Sequence, residues 1–483
     1  MIPFPKTSWL RLFCFLLGIV AFPFIAQAQK TNKAAIDTAV VPQSYVRSIL
    51  IIGNKKTKDF VIRRELTFVE GDSVPSAKIM AVLEKARMNV FNTKLFNNVT
   101  VNIKNWEGDS LDIEITVVER WYIIPLPIFK LADRNLNEWW KDRGRSLNRI
   151  QYGATLQWDN FRGRNERIRV TGSLGFYQML DFYYKMPRIF NSPKLGVIFY
   201  ANLSRTKRLP YASFNDKLIF YYDPNFIKRQ IEFGPRFLIR NKIHLSEYVE
   251  VKYGNRVISD TVAKINPDYF LNGNTTLNYV QVAFGLEADY RNVRAYPTKG
   301  WYIKADFVNY GMGLQKKIDL STLTMSVSKY FTLDKKEKHG TAHMVKAQMS
   351  VPNKQPYNFQ KGLGYLQDFV RGYEYYVIDG QRYLLYKNEY KYQLMKFSLK
   401  QFKPFSKSFV GNIPFGVYGK VYFDGGYVWD NYYVRGNNLR NQWLYGWGAG
   451  IDIITYNDRI FRIEYSFNKV LQNGLYLHFE LPL

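Results

Sequence analysis

From about residue 122 onward the chain repeats one pattern, short runs in which apolar and polar residues alternate. Ile168, Val170 and Leu174 alternate with Arg167, Arg169, Thr171 and Ser173. Val280, Val282, Phe284, Leu286 and Ala288 alternate with Gln281, Ala283, Gly285, Glu287 and Asp289. The same holds for Trp301, Ile303, Ala305 and Phe307, for Phe461, Ile463, Tyr465 and Phe467, and for Leu475, Leu477, Phe479 and Leu481. A period of two turns successive side chains to opposite faces, so these runs predict strands with one apolar and one polar face. No long helical period interrupts the roughly 360 residues from 122 to 483. At roughly 22 residues per strand plus loop, that length makes about 16 antiparallel strands.

The stretch before it reads differently. Val46 to Ile52 is β-branched and apolar and ends in the turn Gly53-Asn54. Thr57 to Leu66 fits a short amphipathic helix through Phe60, Val61 and Leu66, and Gly71-Asp72 breaks it. Pro75 then opens a second helix, with Ile79, Val82, Leu83 and Ala86 at helical spacing. Val99, Val101 and Ile103 alternate with polar residues, as do Leu111, Ile113, Ile115 and Val117 after the turn Gly108-Asp109. The order is β-α-α-β-β, a small α+β domain over 45–121 that is just large enough to support its own core.

The N-terminus sets the compartment. Lys6 and Arg11 precede an apolar stretch from Leu12 to Ile25, and Ala26-Gln27-Ala28 is a small-x-small cleavage site. Residues 1–28 therefore read as a signal peptide, and the polar residues 29–44 as a linker. The stretch is short for a span of roughly 20 residues and contains Pro23, which weighs against an anchor. The only cysteine, Cys14, lies inside it, so the mature chain carries no disulfide framework and no thiol or cysteine–zinc chemistry. No uncharged apolar run approaches 18 residues after position 28, which leaves a soluble protein or a β-barrel spanning a membrane.

Composition favours the barrel. Aromatics are 17% of the 483 residues, as interfacial girdles require, and a wet lumen accepts the charge that alternates along the strands. Soluble sandwiches alternate too, so it is the length without a helix and the strand lengths of about 9–11 residues that decide. The formal net charge is +28, with 68 Lys+Arg against 40 Asp+Glu. Such a balance suits an anionic partner, whether nucleic acid, acidic lipid headgroups or an acidic substrate, and export argues strongly against nucleic acid.

The strongest local signal is Val370-Arg371-Gly372-Tyr373. It follows Gly362, Gly364 and Tyr365 and precedes Gly380-Gln381. Downstream, Lys387, Glu389, Lys391 and Gln393 form one face of a strand, and Tyr418, Lys420, Tyr422 and Asp424 one face of another. Period two points Glu389 and Asp424 to the polar lumen. Two carboxylates on neighbouring strands make a site for a guanidinium, which Arg371 can supply.

At these residues the chain resembles the Omp85 superfamily of outer-membrane assembly and translocation proteins, the group of BamA-like and TamA-like surface antigens. The β-α-α-β-β unit is similar to one POTRA domain. Arg371, Gly372 and Tyr373 match the loop-six motif. Tyr422, Asp424 and Gly426 match the aromatic-x-Asp-x-Gly strand motif. Asp289-Tyr290-Arg291 with Pro297-Thr298-Lys299-Gly300 matches a family hairpin. The chain departs in having one POTRA unit where the main assembly factors usually have several, and in ending at Leu483 where the last strand often ends in an aromatic residue.

The resemblance implies an outer-membrane barrel of 122–483 with its POTRA domain in the periplasm. Its partners would be client outer-membrane or secreted proteins, with possible accessory lipoproteins. Arg371, Gly372 and Tyr373 would latch loop six onto Glu389 and Asp424, either as a purely structural brace or as part of gating. No cofactor, metal or catalytic set is expected and the protein reads as no enzyme. Gly446, Gly448 and Gly450 alternate with Trp447, Ala449 and Ile451, a glycine-lined strand face and no phosphate loop. His339 and His343 lack the glutamate and the helix of a zinc protease motif and read as a surface hairpin. Arg162, Arg164, Arg167 and Arg169 read as lumen or headgroup charge. The alternative function is a channel or porin with a periplasmic domain.

Overall fold

In the computed structural model, Leu111, Ile113, Ile115 and Val117 form the buried side of the central strand of a small N-terminal sheet. The structure describes residues 42–131, 150–313, 315, 317–399, 413–432, 436–455 and 459–480. The leader read over 1–28, and the linker up to residue 41, lie outside them. In the sheet, β1 (Gln43–Ile52) runs parallel to β4 (Ser110–Glu119), which is antiparallel to β3 (Phe96–Glu107). Helices α1 (Asp59–Arg63) and α2 (Ile79–Phe91) supply Val61, Ile62, Leu83, Ala86 and Val90 to a core shared with Val46, Ile49 and the β4 residues. Each Val, Leu or Ile among them contributes about 1.5–3 kcal/mol by leaving water.

One detail differs from the sequence reading. Pro75 opens no helix; it ends a three-residue strand, β2 (Ser73–Pro75), antiparallel to β1. A proline disfavours helical backbone in the residue before it, which keeps Val74 extended opposite Ser44. The second helix starts at Ile79, after a 3-10 turn at Ser76–Lys78. The domain order is therefore β-α-β-α-β-β, with sheet order β2-β1-β4-β3.

Among the described residues, the rest of the chain forms a sixteen-stranded antiparallel β-barrel. Its strands are β5 (Ile123–Leu131), β6 (Ile150–Phe161), β7 (Glu166–Gly175), β8 (Tyr177–Met186) and β9 (Leu195–Thr206); then, after a separate hairpin of β10 (Arg208–Phe214) and β11 (Lys217–Tyr222), β12 (Lys228–Lys242), β13 (Leu245–Ile258) and β14 (Thr276–Asp289). The second half comprises β15 (Gly300–Tyr310), β16 (Leu320–Thr332), β17 (His339–Val351), β18 (Arg382–Leu399), β19 (Ile413–Trp429), β20 (Trp443–Thr455), β21 (Arg459–Asn468) and β22 (Asn473–Glu480). Each strand pairs with the next in sequence, apart from β9, which passes over the hairpin to β12. Among the described residues no ladder joins β5 to β22.

Alternation fixes which face is wet. Phe461, Ile463, Tyr465 and Phe467 stand exposed on the outside, while Glu464 and Ser466 between them are buried in the lumen. Leu156, Phe199, Phe233, Phe284, Val421 and Phe423 continue that apolar outer belt on other strands. Such a surface is stable against lipid and not against water. No helix among the described residues is long and apolar enough to cross a membrane.

The two ends of the barrel are closed differently. At the near end the N-terminal domain sits against the strand turns. Arg240 places both guanidinium Nη atoms on the Glu65 carboxylate at 2.6 Å, Asn92 donates to the Asn292 carbonyl at 3.1 Å, and Asn160 donates to Thr57 at 2.8 Å. At the far end the long connections fold inward. The β10–β11 hairpin and α3 (Asp260–Ile265) pack Leu209, Val262, Tyr269, Phe270, Leu277 and Tyr279 into a second core.

Candidate functional site: the β17–β18 loop and the lumenal wall

The loop of residues 352–381 enters the barrel and meets the wall formed by β18 to β21. Register decides what it meets. Glu389 lies opposite Tyr422, Tyr422 opposite Gly448, and Gly448 opposite Ser466. Asp424 lies opposite Gly446 on the next strand. The glycines of β20 thus leave a trough beside the two acidic strands.

Arg371 fills it. Its Nε and Nη2 donate to the two oxygens of Asp424 at 2.8 and 2.6 Å, and its backbone N–H donates to Asp424 at 3.1 Å. Nη1 donates to Glu389 at 2.9 Å and lies 3.5 Å from Glu464. The guanidinium carbon stands 3.9 Å from the Tyr422 ring centroid, a cation–π stack. Arg371 is 5% exposed and Asp424 is 0% exposed, so this is a desolvated ion pair.

The small residues make the fit possible. A Cβ on Gly446 would overlap the Arg371 carbonyl oxygen, and one on Gly448 would come 2.6 Å from the Tyr422 hydroxyl. A Cβ on Gly426 would come 2.6 Å from Val370, so Tyr422, Asp424 and Gly426 act in turn as stacking surface, counter-ion and seat for Val370. Gly372 adopts φ +91°, a left-handed conformation that suits glycine, and its carbonyl accepts from Asn468 at 2.6 Å. Tyr373 is buried beside Leu363, Val370 and Leu444.

The wall carries more charge than the sequence reading named. Lys420 bridges Asp452 at 2.6 Å and Glu464 at 2.7 Å, Lys391 pairs with Glu389 at 2.7 Å, and Arg462 lies 3.6 Å from Asp452. Tyr296 donates to Asp452 at 3.0 Å. Four cations (Arg371, Lys391, Lys420, Arg462) therefore face four carboxylates (Glu389, Asp424, Asp452, Glu464). A buried charge is tolerated only when so matched. Lys420 and Glu464 were visible as polar members of alternating strands; Asp452 and Tyr296 carry no signal short of the register.

Two loop acids are perturbed. Burial pushes the Glu374 carboxyl up to about 7, where it accepts from the Gly372 N–H at 2.7 Å. Burial likewise pushes Asp379 up to about 6, with Asp430 and Asp216 adding in the same direction. Asp379 accepts from Ser213 of the β10–β11 hairpin and from Tyr365.

The remaining sequence candidates sit apart. His339 and His343 share a face of β17, where the His339 ring packs at a 44° tilt against Tyr392. Arg162 pairs with Glu166 at 2.8 Å in the near-end turn. Asp289 accepts from Arg291 and pairs with Arg294 at 3.0 Å. Among the described residues no group of His, Cys, Asp or Glu is arranged to hold a metal ion.

Residues 160–469 match the family described as the Omp85 superfamily domain, and residues 44–120 match the POTRA family described as the surface antigen variable number repeat. Two solved structures share the fold: BamA from Haemophilus ducreyi lacking POTRA domains 1–3 (TM-score 0.51, 13% identity, 90% of this chain and 84% of that one) and CdiB from Escherichia coli (TM-score 0.53, 12% identity, 90% and 75%). A protein of Treponema pallidum (strain Nichols), named as an outer membrane protein assembly factor, is 26% identical over 166 residues, 31% of this chain. That match spans 16% of the relative's own length.

Proposed function

The chain belongs to the Omp85 superfamily, and on that premise we propose that it is an outer-membrane factor that inserts or translocates other proteins, with its POTRA domain in the periplasm. The observation that carries this reading is the seam: every barrel strand is paired on both sides except β5 and β22, which no ladder joins among the described residues. An unpaired strand edge presents N–H and C=O groups that a second chain can take up. In lipid, where backbone groups find no water, the drive to pair is stronger still.

The mechanism follows from edges and a latch. The long outer edge of β3 in the POTRA sheet is unpaired among the described residues and receives an extended client segment by β-augmentation. The client strand then pairs at the barrel seam. Arg371, Gly372 and Tyr373, held by Glu389 and Asp424, keep the β17–β18 loop seated in the lumen, which braces the wall next to β22 while the seam is worked. Client proteins and outer-membrane lipid are the partners, and the work needs no cofactor and no enzymatic step.

Insertion of a urea-denatured outer-membrane barrel protein into liposomes carrying the purified full chain tests the reading. Faster insertion than in empty liposomes, slowed together with heat-modifiable folding in Arg371→Ala and Asp424→Ala, is expected. Ion conductance with no acceleration of insertion would replace it with the porin reading, which the loop-filled lumen disfavours.

A further inference from the structure

Inside the barrel, the arginines of β12 and β13 are matched. Arg236 pairs with Glu250 at 2.7 Å and Arg256 with Glu232 at 2.6 Å. On the outer face of the far end the charges are not matched. Register sets Arg229 of β12 directly opposite Arg205 of β9, and both residues are exposed. Like charges so opposed, with Cβ atoms about 4.5–5.5 Å apart, destabilise a ladder. Lys207, just past the end of β9, adds a third cation: the Phe226 ring centroid lies 4.0 Å from the Arg205 guanidinium carbon and 5.3 Å from the Lys207 Nζ. Among the described residues none of the three forms an ion pair. Asp223, in the same connection as Phe226, accepts from the Asn225 N–H at 2.7 Å and from the Tyr221 hydroxyl at 3.3 Å.

Apolar surface runs straight down from these cations. Two residues further along the same face Ile231 stands opposite Leu203, and two further again Phe233 stands opposite Ala201. Leu203, Ile231 and Phe233 are all exposed. Arg205 Nε donates to Gln178 at 2.8 Å, which orients the guanidinium and leaves its Nη groups without a hydrogen bond among the described residues. The rest of that rim differs. On β13 and β14 Asn255 donates to Asn278, a neutral pair. On β19 and β20 the rim is aromatic, with the Tyr427 ring 4.5 Å from Trp429 and 5.3 Å from Trp443. Aromatic rings at a membrane boundary are ordinary; a convergence of unpaired cations above an apolar column is particular to β9 and β12.

Building on the proposed placement, which turns the far end outward from the outer membrane, we infer that Arg205, Arg229 and Lys207 form a site for the phosphate-bearing headgroup of an outer-leaflet lipid, with its acyl chains along Leu203, Ile231 and Phe233. A guanidinium takes two phosphate oxygens at once, and two guanidinia facing each other can share one phosphate group. Free phosphate would meet the cations and leave the apolar column uncovered. An acidic protein segment would have to lay its backbone against that column, where its N–H and C=O groups find no water. An amphiphile satisfies both halves of the site. The lipid would also brace a particular ladder, because β9 and β12 are the strands that pair across the β10–β11 hairpin, and a bound phosphate offsets the repulsion between their arginines.

Native mass spectrometry tests it, with the purified full chain in non-ionic detergent micelles titrated with lipid A that carries its phosphates. Retention of the lipid is expected, and Arg205→Gln with Arg229→Gln should need roughly tenfold or more lipid for half-retention. The unchanged chain offered lipid A stripped of its phosphates should show a loss of the same order, a comparison that needs no variant to fold. Lys217→Gln with Lys264→Gln removes the same charge from exposed far-end positions away from the arginine pair and should leave retention unchanged. Equal retention of the two lipids, undiminished retention by the folded arginine variant, or an equal loss in the lysine variant overturns the inference. Displacement of lipid A by inorganic phosphate at equal concentration also overturns it, in favour of a free-phosphate site. Labelling of Lys264→Cys on intact cells by an impermeant thiol reagent reports the orientation separately. No labelling overturns the placement and with it the outer-leaflet source; labelling without the phosphate preference overturns the inference alone and leaves the assembly reading standing.

Discussion

Arg371 and Asp424, 53 residues apart in sequence, form a bidentate ion pair at 2.8 and 2.6 Å in which neither side chain is more than 6% exposed. One contact thus ties a loop between two strands to the wall of a third. Arg371→Ala leaves Asp424, Glu389 and Glu464 facing one another without their shared cation, at a cost of about 3–5 kcal/mol. The expected outcome is a lower melting temperature of the barrel and new protease cleavage within 362–381. Arg371→Lys recovers only part of this, since an ammonium cannot make the two parallel bonds or the stack on Tyr422.

Gly446→Ala changes no charge, yet its Cβ would overlap the carbonyl oxygen of Arg371. It should therefore unseat the loop as Arg371→Ala does, with the same cleavage pattern. Gly425→Ala, on the neighbouring strand, meets nothing closer than 4.0 Å and serves as the control that leaves the loop protected.

Seating of the far-end hairpin depends on pH through Asp379. Its folded pKa, about 6, lies above the ordinary value of 3.8. A raised carboxyl binds a proton more tightly in the docked state, so docking strengthens as pH falls through about 6 and levels off near the ordinary value. Ser213 and Tyr365 donate to it and oppose the shift, Asp430 and Asp216 add to it, and Lys361 and Tyr357 also face it. The protection factors of amides in 208–222, with intrinsic exchange divided out, should rise roughly tenfold between about pH 8 and about pH 5. Asp379→Asn should abolish that dependence.

The near end is held by Arg240 on Glu65, with the Glu65 side chain 5% exposed. Glu65→Gln weakens this charge-assisted pair by about 1.5–3 kcal/mol. The N-terminal domain keeps its own fold, because Glu65 lies outside its apolar core. Mobility of that domain against the barrel, read by spin labels on α2 and the β12–β13 turn, is the quantity expected to rise.

How far the sequence reaches can be judged residue by residue. The barrel was legible because period two survives in strands such as β7, β14 and β21 and because a lipid-facing belt demands Phe, Leu and Val outside, and the strand number because the length divides into about 16 strands plus loops. Arg371, Glu389 and Asp424 could be gathered from face parity and the motif alone. Asp452, Lys420 and Tyr296 could not be joined to them, since their contacts depend on which residues stand opposite across three strands. The short strand at Ser73–Pro75 was hidden by Pro75, which serves a helix start and a strand end equally well.

The most direct test of the central claim is to deplete the protein in its host and quantify the outer-membrane proteome. The account predicts loss of barrel proteins from that membrane, broad for a general insertase and confined to a few for a dedicated factor. An unchanged outer-membrane proteome, with depletion verified, would contradict it.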